Sequence, residues 1–261
     1  MEGLPRAGIH GNNRCPVNQL DVVIPVYNEG ENIIRVIESL SANVRTTFRV
    51  LICYDRDDDN TLAALAAHPS AAEIVLVKNE GRGVLGAILT GFRRSSAPCV
   101  LVIPADDDYN AGIIDTMMEK AAGGADIVCA SRFMPGGCMR GCPWLKMTLV
   151  RASAFALYHL ARLPTRDPSN GFRLFSRRVL DNIPTESTAG FSYSIEFLVK
   201  THRLGWKIEE VPARWFERTS GQSRFRVLKW LPGYLRWFFY AFRTTYFGGR
   251  FHPVALRPAK S

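Results

Sequence analysis

The residues of this chain best suited to chemistry are acidic and sit at the ends of apolar runs. Asp106, Asp107 and Asp108 stand in a row after the run 99–103, and Asp106 with Asp108 makes a D-x-D pair. Two carboxylates on a tight turn suit Mg2+ or Mn2+, which commonly binds through one or two carboxylates plus substrate phosphates. Such an ion neutralises the charge that develops on a departing diphosphate. Acidic triplets also occur in ordinary loops, so the strand-end position is what makes this one a candidate. Asp55 ends another apolar run and can accept hydrogen bonds from the N–H edge of uracil or guanine. Glu29, after the first run, can contact a nucleoside. Helix capping and solvated loop charge account for Asp55 and Glu29 just as simply.

Arginines form a second group. Arg132 follows the run 126–130, and the turn-rich stretch 164–173, PTRDPSNGFR, gathers Arg166, Asp167 and Arg173. Arginine forks match phosphate oxygens in a planar, bidentate way. Surface ion pairs explain the same residues equally well.

The elements that must position these groups alternate. Segment 20–26 (LDVVIPV) is a continuous apolar strand of the buried parallel kind, followed by a turn at 27–30 and a helical period through Ile33, Ile34, Ile37 and Leu40. Strands are expected at 48–54, 73–77, 99–103 and 126–130, with helices from Thr61, through 85–92 and over 113–120. Strand and helix in strict succession predict an α/β fold, a mostly parallel sheet with helices on both faces. In such sheets ligands bind beyond the carboxyl ends of the strands, and the acidic clusters fall at that edge. After residue 131 the alternation fails. A helix near 144–163, another near 195–204 and a short strand near 207–211 are expected before an aromatic tail.

Composition sets bounds. A chain of 261 residues that is 47% hydrophobic can bury a substantial core. Residues 1–19 carry Gly, Asn and Arg without an apolar core and are expected to form a flexible lead-in rather than a secretory leader. No run approaches the ~20 apolar residues of a membrane span; Lys146 and Arg151 interrupt the nearest. Six scattered cysteines fit a reducing compartment, and Cys138 with Cys142 lacks a second ligand pair for zinc. Residues 201–261 hold 12 Lys/Arg against 3 Asp/Glu, which leaves 21 of each sign in 1–200. The excess charge is interleaved with Trp230, Trp237, Phe238 and other aromatics. That mixture suits an anionic lipid surface, packing on the chain's own domain, or nucleic acid.

The motifs DVVIPVYNE, an aspartate-rich loop ending D-N-T, and PADDD resemble the family 2 glycosyltransferases of GT-A fold. The segments RLPTRDPSNGFRLFSRRVL, STAGFSYSIEFLVKTHRLGWKIEEVP and RTSGQSRFRVLKWLPGYLRW look like the dolichyl-phosphate mannose synthase-like branch, and the likeness covers roughly 20–237. The resemblance implies a GT-A domain over 20–225, followed by an amphipathic basic and aromatic helical segment over 226–261. It puts Pro25, Tyr27 and Glu29 in a nucleotide pocket with Asp55 beside the base. It matches Asp106 to the second aspartate of the metal motif; Pro104 replaces the first, so Asp108 has to supply the second carboxylate. Arg132 matches an arginine near the acceptor phosphate, and Arg218, Ser223 and Arg224 match a basic loop over the donor phosphates.

The implied reaction is inverting transfer of a hexose from GDP-mannose or a UDP-sugar to a polyprenyl or dolichyl phosphate. Mg2+ or Mn2+ is the implied cofactor. A phosphate acceptor needs no strong base; for a hydroxyl acceptor Asp167 is the candidate. The implied partners are the nucleotide-sugar, a lipid-phosphate or other acceptor, and a membrane surface, with no nucleic acid. The implied location is cytoplasmic, at or near the cytoplasmic face of a membrane. A nucleotidyltransferase would show a Gly- and Arg/Lys-rich loop after the first strand, which PVYNE lacks. A non-catalytic nucleotide-sugar-binding protein, its metal motif spoiled by Pro104, is the alternative from another class.

Overall fold

The computed structural model describes residues 19–217, 227–248 and 254–257. The first half alternates as its apolar runs demand: β1 (Leu20–Val26), α1 (Gly30–Asn43), β2 (Phe48–Tyr54), α2 (Asn60–Ala67), β3 (Glu73–Lys78), α3 (Gly83–Arg94), β4 (Cys99–Val102), α4 (Ile114–Ala122) and β5 (Ile127–Ser131). The second half is less regular: β6 (Cys138–Arg140), α5 (Trp144–Phe155), β7 (Arg173–Ser176), α6 (Arg177–Asn182), α7 (Ser192–Arg203), β8 (Ile208–Pro212), β9 (Arg214–Phe216) and α8 (Val227–Tyr246). The last turn of the helix expected over 144–163 widens into a π-helical segment, Ala156–Leu160.

Among the described residues a seven-stranded sheet runs in the order β3-β2-β1-β4-β7-β5-β8. β1 pairs in parallel with both β2 and β4, and β5 pairs in parallel with β8. β7 breaks the pattern, lying antiparallel between β4 and β5. The sequence marks 164–173 as turn-rich and predicts no strand directly after it. Its RLFS run is short, yet Leu174 and Phe175 are fully buried because the strand lies inside the sheet. A separate parallel pair joins β6 to β9.

Both faces of the sheet are covered. Ile33, Val36, Ile37 and Leu40, spaced along one side of α1, pack with Ile114 and Met117 on one face. Leu85, Ile88 and Phe92 of α3 pack with Val179, Phe197 and Leu198 on the other. α3 approaches closely because Gly91 faces the sheet: a Cβ there would stand 2.5 Å from Val23 Cγ1. A third cluster joins Trp237 and Ala241 of α8 to Ile195 and Val199 of α7 and to Leu157. α8 therefore buries one aromatic face internally. Trp237, a residue considered above for lipid contact, is 2% exposed, and Trp230 lies outside the described side chains. No helix of the described residues is long and apolar enough to cross a membrane.

Candidate active site

Because β1 runs parallel between β2 and β4, the turns that leave these three strands open on one edge of the sheet. Those turns carry Tyr27 and Glu29, Asp55, and Asp106 respectively.

The turn after β1 is shaped by its neighbour. Asn28 adopts φ 55°, a left-handed conformation that asparagine tolerates better than most residues with a Cβ. Its amide donates to both Asp59 carboxylate oxygens at 3.0 Å, and the Glu29 amide donates to Thr61 Oγ1 at 3.0 Å. Asp59 is buried and also caps α2 by accepting from Thr61 N. Neither Asn28 nor Asp59 stood out in the sequence; Asp59 looked like one more loop acid. The Glu29 carboxylate accepts from Asn32 Nδ2 at 2.7 Å. Pro25 is half-buried below the turn, and Tyr27 is exposed above it.

Asp55 is half-buried at the end of β2. Asn79, just past the neighbouring β3, donates through Nδ2 to Asp55 Oδ1. Asn79 also holds the glycine turn, accepting from Gly81 N at 2.7 Å and donating to Gly83 O at 3.2 Å. Asn79 thus orients Asp55; its only sequence signal was its place at a strand end. Asp57 and Asp58 by contrast are spent on exposed pairs with Lys78 and Arg56, which contribute little to stability.

The three aspartates after β4 have separate fates. Asp107 is buried and accepts from Asn110 N at 3.1 Å and Asn110 Nδ2 at 2.8 Å. Burial pushes its carboxyl up to about 7 against those bonds. Asn110 in turn exchanges hydrogen bonds with the Arg214 backbone, both at 2.9 Å, so the acidic turn is fastened to β9. Tyr109 packs edge-on against Phe216 of the same strand, ring centroids 5.1 Å apart. Asp108 turns toward α1: its carboxylate accepts from Arg35 Nε at 3.1 Å, and its carbonyl accepts from Ser39 Oγ. Asp106 is half-buried at the turn after β4. Of the expected pair Asp106 and Asp108, Asp108 is engaged by Arg35.

Arg132 and Asp167 meet as a buried ion pair. Arg132 donates through Nε and a terminal nitrogen to the two Asp167 oxygens at 2.6 and 2.8 Å, and its amide adds a third bond at 2.9 Å. Ser169 Oγ accepts from the same guanidinium at 2.8 Å. Burial pushes the Asp167 carboxyl up, yet the Arg132 charge and hydrogen bonds outweigh it and hold it below the usual carboxylate range. The Asp167 side chain, the base candidate for a hydroxyl acceptor, is 0% exposed and both its oxygens accept from Arg132. It positions Arg132. The expected loop residues Arg218, Ser223 and Arg224 lie outside the described residues.

The fold and this edge define a GT-A glycosyltransferase. Residues 21–183 match the family model for glycosyl transferase family 2, and the chain belongs to that family. It is 25% identical over 234 residues to the polyprenol monophosphomannose synthase of Mycolicibacterium smegmatis, covering 82% of this chain and 88% of that one. It is 25% identical over 231 residues to the dolichol-phosphate mannosyltransferase of Pyrococcus furiosus, covering 81% of this chain but 64% of the longer relative. Among solved structures, glucosyl-3-phosphoglycerate synthase from Mycobacterium tuberculosis in complex with UDP superposes with a TM-score of 0.64 at 19% identity, over 86% of this chain and 80% of that one. The same enzyme in complex with Mn2+, UDP and phosphoglyceric acid gives a TM-score of 0.61 at 21% identity, over 87% and 78%. At such identities the structural likeness carries the fold alone.

Proposed function

We propose that this glycosyltransferase moves a hexose from GDP-mannose or a UDP-sugar to a polyprenyl or dolichyl phosphate, or a related acceptor, with inversion at the anomeric carbon. The observation that carries the donor half is that Asp55 and Asp106 follow the two strands flanking β1. In this reading Asp55, oriented by Asn79, accepts from the base, and Pro25, Tyr27 and Glu29 border the nucleoside. Asp106 and Asp108 hold Mg2+ or Mn2+. The donor set suits a hard cation, since it consists of carboxylate oxygens at one turn. Two carboxylates would leave the rest of the ion's shell to phosphate oxygens of the donor. When bound, the ion supplies charge neutralisation for the leaving diphosphate. Arg35 shares or yields Asp108 in that state.

The acceptor half follows from charge. A phosphate monoester is ionised at neutral pH, so the chain has no need of a strong base, which agrees with the engagement of Asp167 by Arg132. The acceptor oxygen forms its bond to the anomeric carbon as the bond to the nucleoside diphosphate breaks, and the electron pair leaves with the diphosphate. The protein's task is to bring two anions into line and to stabilise the departing one. Arg132 stands on the acceptor side, and the names of the curated relatives support a lipid phosphate there. Exposed apolar side chains support work at a membrane surface: Trp144 and Leu149 on α5, Phe239 on α8, and Phe247 just beyond it.

Incubation with GDP-mannose or UDP-glucose, Mn2+ or Mg2+, and a polyprenyl phosphate, followed by mass spectrometry of the lipid fraction, tests the proposal. A metal-dependent lipid-linked hexose is expected. Sugar appearing only on water-soluble acceptors, or no donor consumed with either metal, contradicts it.

A further inference from the structure

Ala213 links β8 to β9, and Arg214 opens β9. These consecutive residues are bonded through both amide and carbonyl, each to a different part of the site. Ala213 meets the segment around Arg132: its N–H donates to Ser131 O at 2.9 Å, and its carbonyl accepts from Cys138 N at 3.0 Å. Arg214 meets the acidic turn: its N–H donates to Asn110 Oδ1 and its carbonyl accepts from Asn110 Nδ2, both at 2.9 Å. One extended stretch of backbone therefore joins the neighbour of Arg132 to the turn that carries Asp106 and Asp108.

The join is short and dry. Ser131, Ala213 and Asn110 are all buried. Gly137, next to β6, lies so close to the Arg132 turn that a Cβ on it would stand 2.5 Å from Ser131 O. β6 pairs with β9, and Glu217 N donates to Arg140 O at 3.0 Å beyond the pair. On the acidic side Asn110 also donates to Asp107, and Tyr109 packs on Phe216. A carboxamide offers the same donor and acceptor as a peptide group, so the Asn110 side chain stands in for a strand partner of Arg214. Removing it leaves the Arg214 N–H and C=O without these bonds. The ion pair on the other flank of the turn, Arg35 with Asp108, has its arginine 59% exposed and holds weakly.

We infer that Asn110 is a positioning residue, which holds the acidic turn at a fixed separation from Arg132 through Arg214, Ala213 and Ser131. In-line transfer needs the groups on the two anions in register, and a misplacement of about 1 Å can cost about a hundred-fold in rate. Assigning Asp106 to the diphosphate and Arg132 to the acceptor rests on the function proposed above; the brace between their turns does not.

Asn110→Ala removes the carboxamide; Asn110→Gln keeps it but displaces it by one methylene, and serves where Asn110→Ala does not fold. Two measurements on the full chain test the inference. The first compares transfer from GDP-mannose or UDP-glucose to a polyprenyl phosphate with hydrolysis of the same donor by water, both with Mn2+. Transfer is expected to fall about ten-fold more than hydrolysis, within the cost of a small misplacement. Loss of folded protein lowers both rates alike and leaves their ratio unchanged. The second is amide hydrogen exchange without ligands. Ala213 as well as Arg214 is expected to exchange about ten-fold faster, the size of one lost hydrogen bond. An unchanged ratio, in a chain whose wild type transfers, overturns the inference, as does faster exchange confined to Arg214. If the wild type transfers nothing to polyprenyl phosphate, the proposed function fails on its own, and the exchange measurement alone upholds or overturns the brace.

Discussion

Asp55 follows β2 and Asp106 follows β4, and β1 runs between them in parallel, so their turns flank the turn that carries Tyr27 and Glu29. Two strand spacings separate β2 from β4, about 10 Å in a hydrogen-bonded sheet. That span is comparable to a nucleoside diphosphate laid across the strand ends. The sheet, rather than any local motif, thus sets the distance between Asp55 and Asp106.

Asn79 tests the base end without removing the carboxylate. Asn79→Ala takes away the donor that orients Asp55. Affinity for UDP or GDP is expected to fall about five- to ten-fold in calorimetry, the size of one hydrogen bond. Wild-type affinity for both nucleotides would mean that Asp55 does not read the base.

The Arg132–Asp167 pair makes a stability prediction. Asp167→Asn leaves Arg132 buried without its counter-charge, and breaking one side of a buried pair costs about 3–5 kcal/mol. Urea denaturation of the variant is expected to show a loss of that order, whereas exposed pairs such as Arg56–Asp58 are expected to contribute little. A loss below about 1 kcal/mol for Asp167→Asn contradicts the role given to it.

Acid should reveal Asp21 as well as Asp167. Asp21 is fully buried at the foot of the sheet. Burial raises its pKa, but bonds from Arg49 and from the amides of Ala97 and Ser96 outweigh that and hold it low. A carboxyl whose folded pKa is depressed contributes stability above its unfolded value of about 3.9, and that stability is lost as pH falls through the folded pKa. Melting temperature is therefore expected to fall steeply below about pH 4. Asp21→Asn is expected to melt lower at pH 7 and to show a flatter acid limb; parallel curves for variant and wild type contradict this.

α8 has two faces with opposite expectations. Trp237 is buried and donates from Nε1 to Ser187 Oγ at 2.8 Å, so Trp237→Ala is expected to destabilise the fold by about 3–5 kcal/mol. Phe239, 63% exposed, is expected to leave stability unchanged when replaced by Ser but to weaken sedimentation with anionic vesicles. Vesicle binding that survives Phe239→Ser together with Phe247→Ser and Trp144→Ser contradicts the membrane reading.

What the sequence made legible was whatever is encoded locally. β1, β2 and β4 are largely apolar runs with acids just past their carboxyl ends, and α1 shows its helical period, so both the fold and the strand-end position of Asp55 and Asp106 could be read directly. β7 could not, because a four-residue strand beginning with Arg173 has no buried signature of its own. Its guanidinium is buried through bonds to the Ser194, Asp167 and Pro168 carbonyls, contacts that only the folded chain creates. The role of Asp167 was hidden for the same reason: an aspartate in a turn reads alike whether it faces substrate or a distant arginine. Nor could composition tell which aromatics of α8 turn inward.

The measurement that bears most directly on the account is metal-dependent turnover of a nucleotide-sugar by Asp106→Asn. Losing a group that stabilises the leaving diphosphate is expected to lower kcat about a hundred-fold or more, with the melting temperature unchanged. A variant that turns over at the wild-type rate with Mn2+ or Mg2+ would contradict the assignment of Asp106 to the diphosphate.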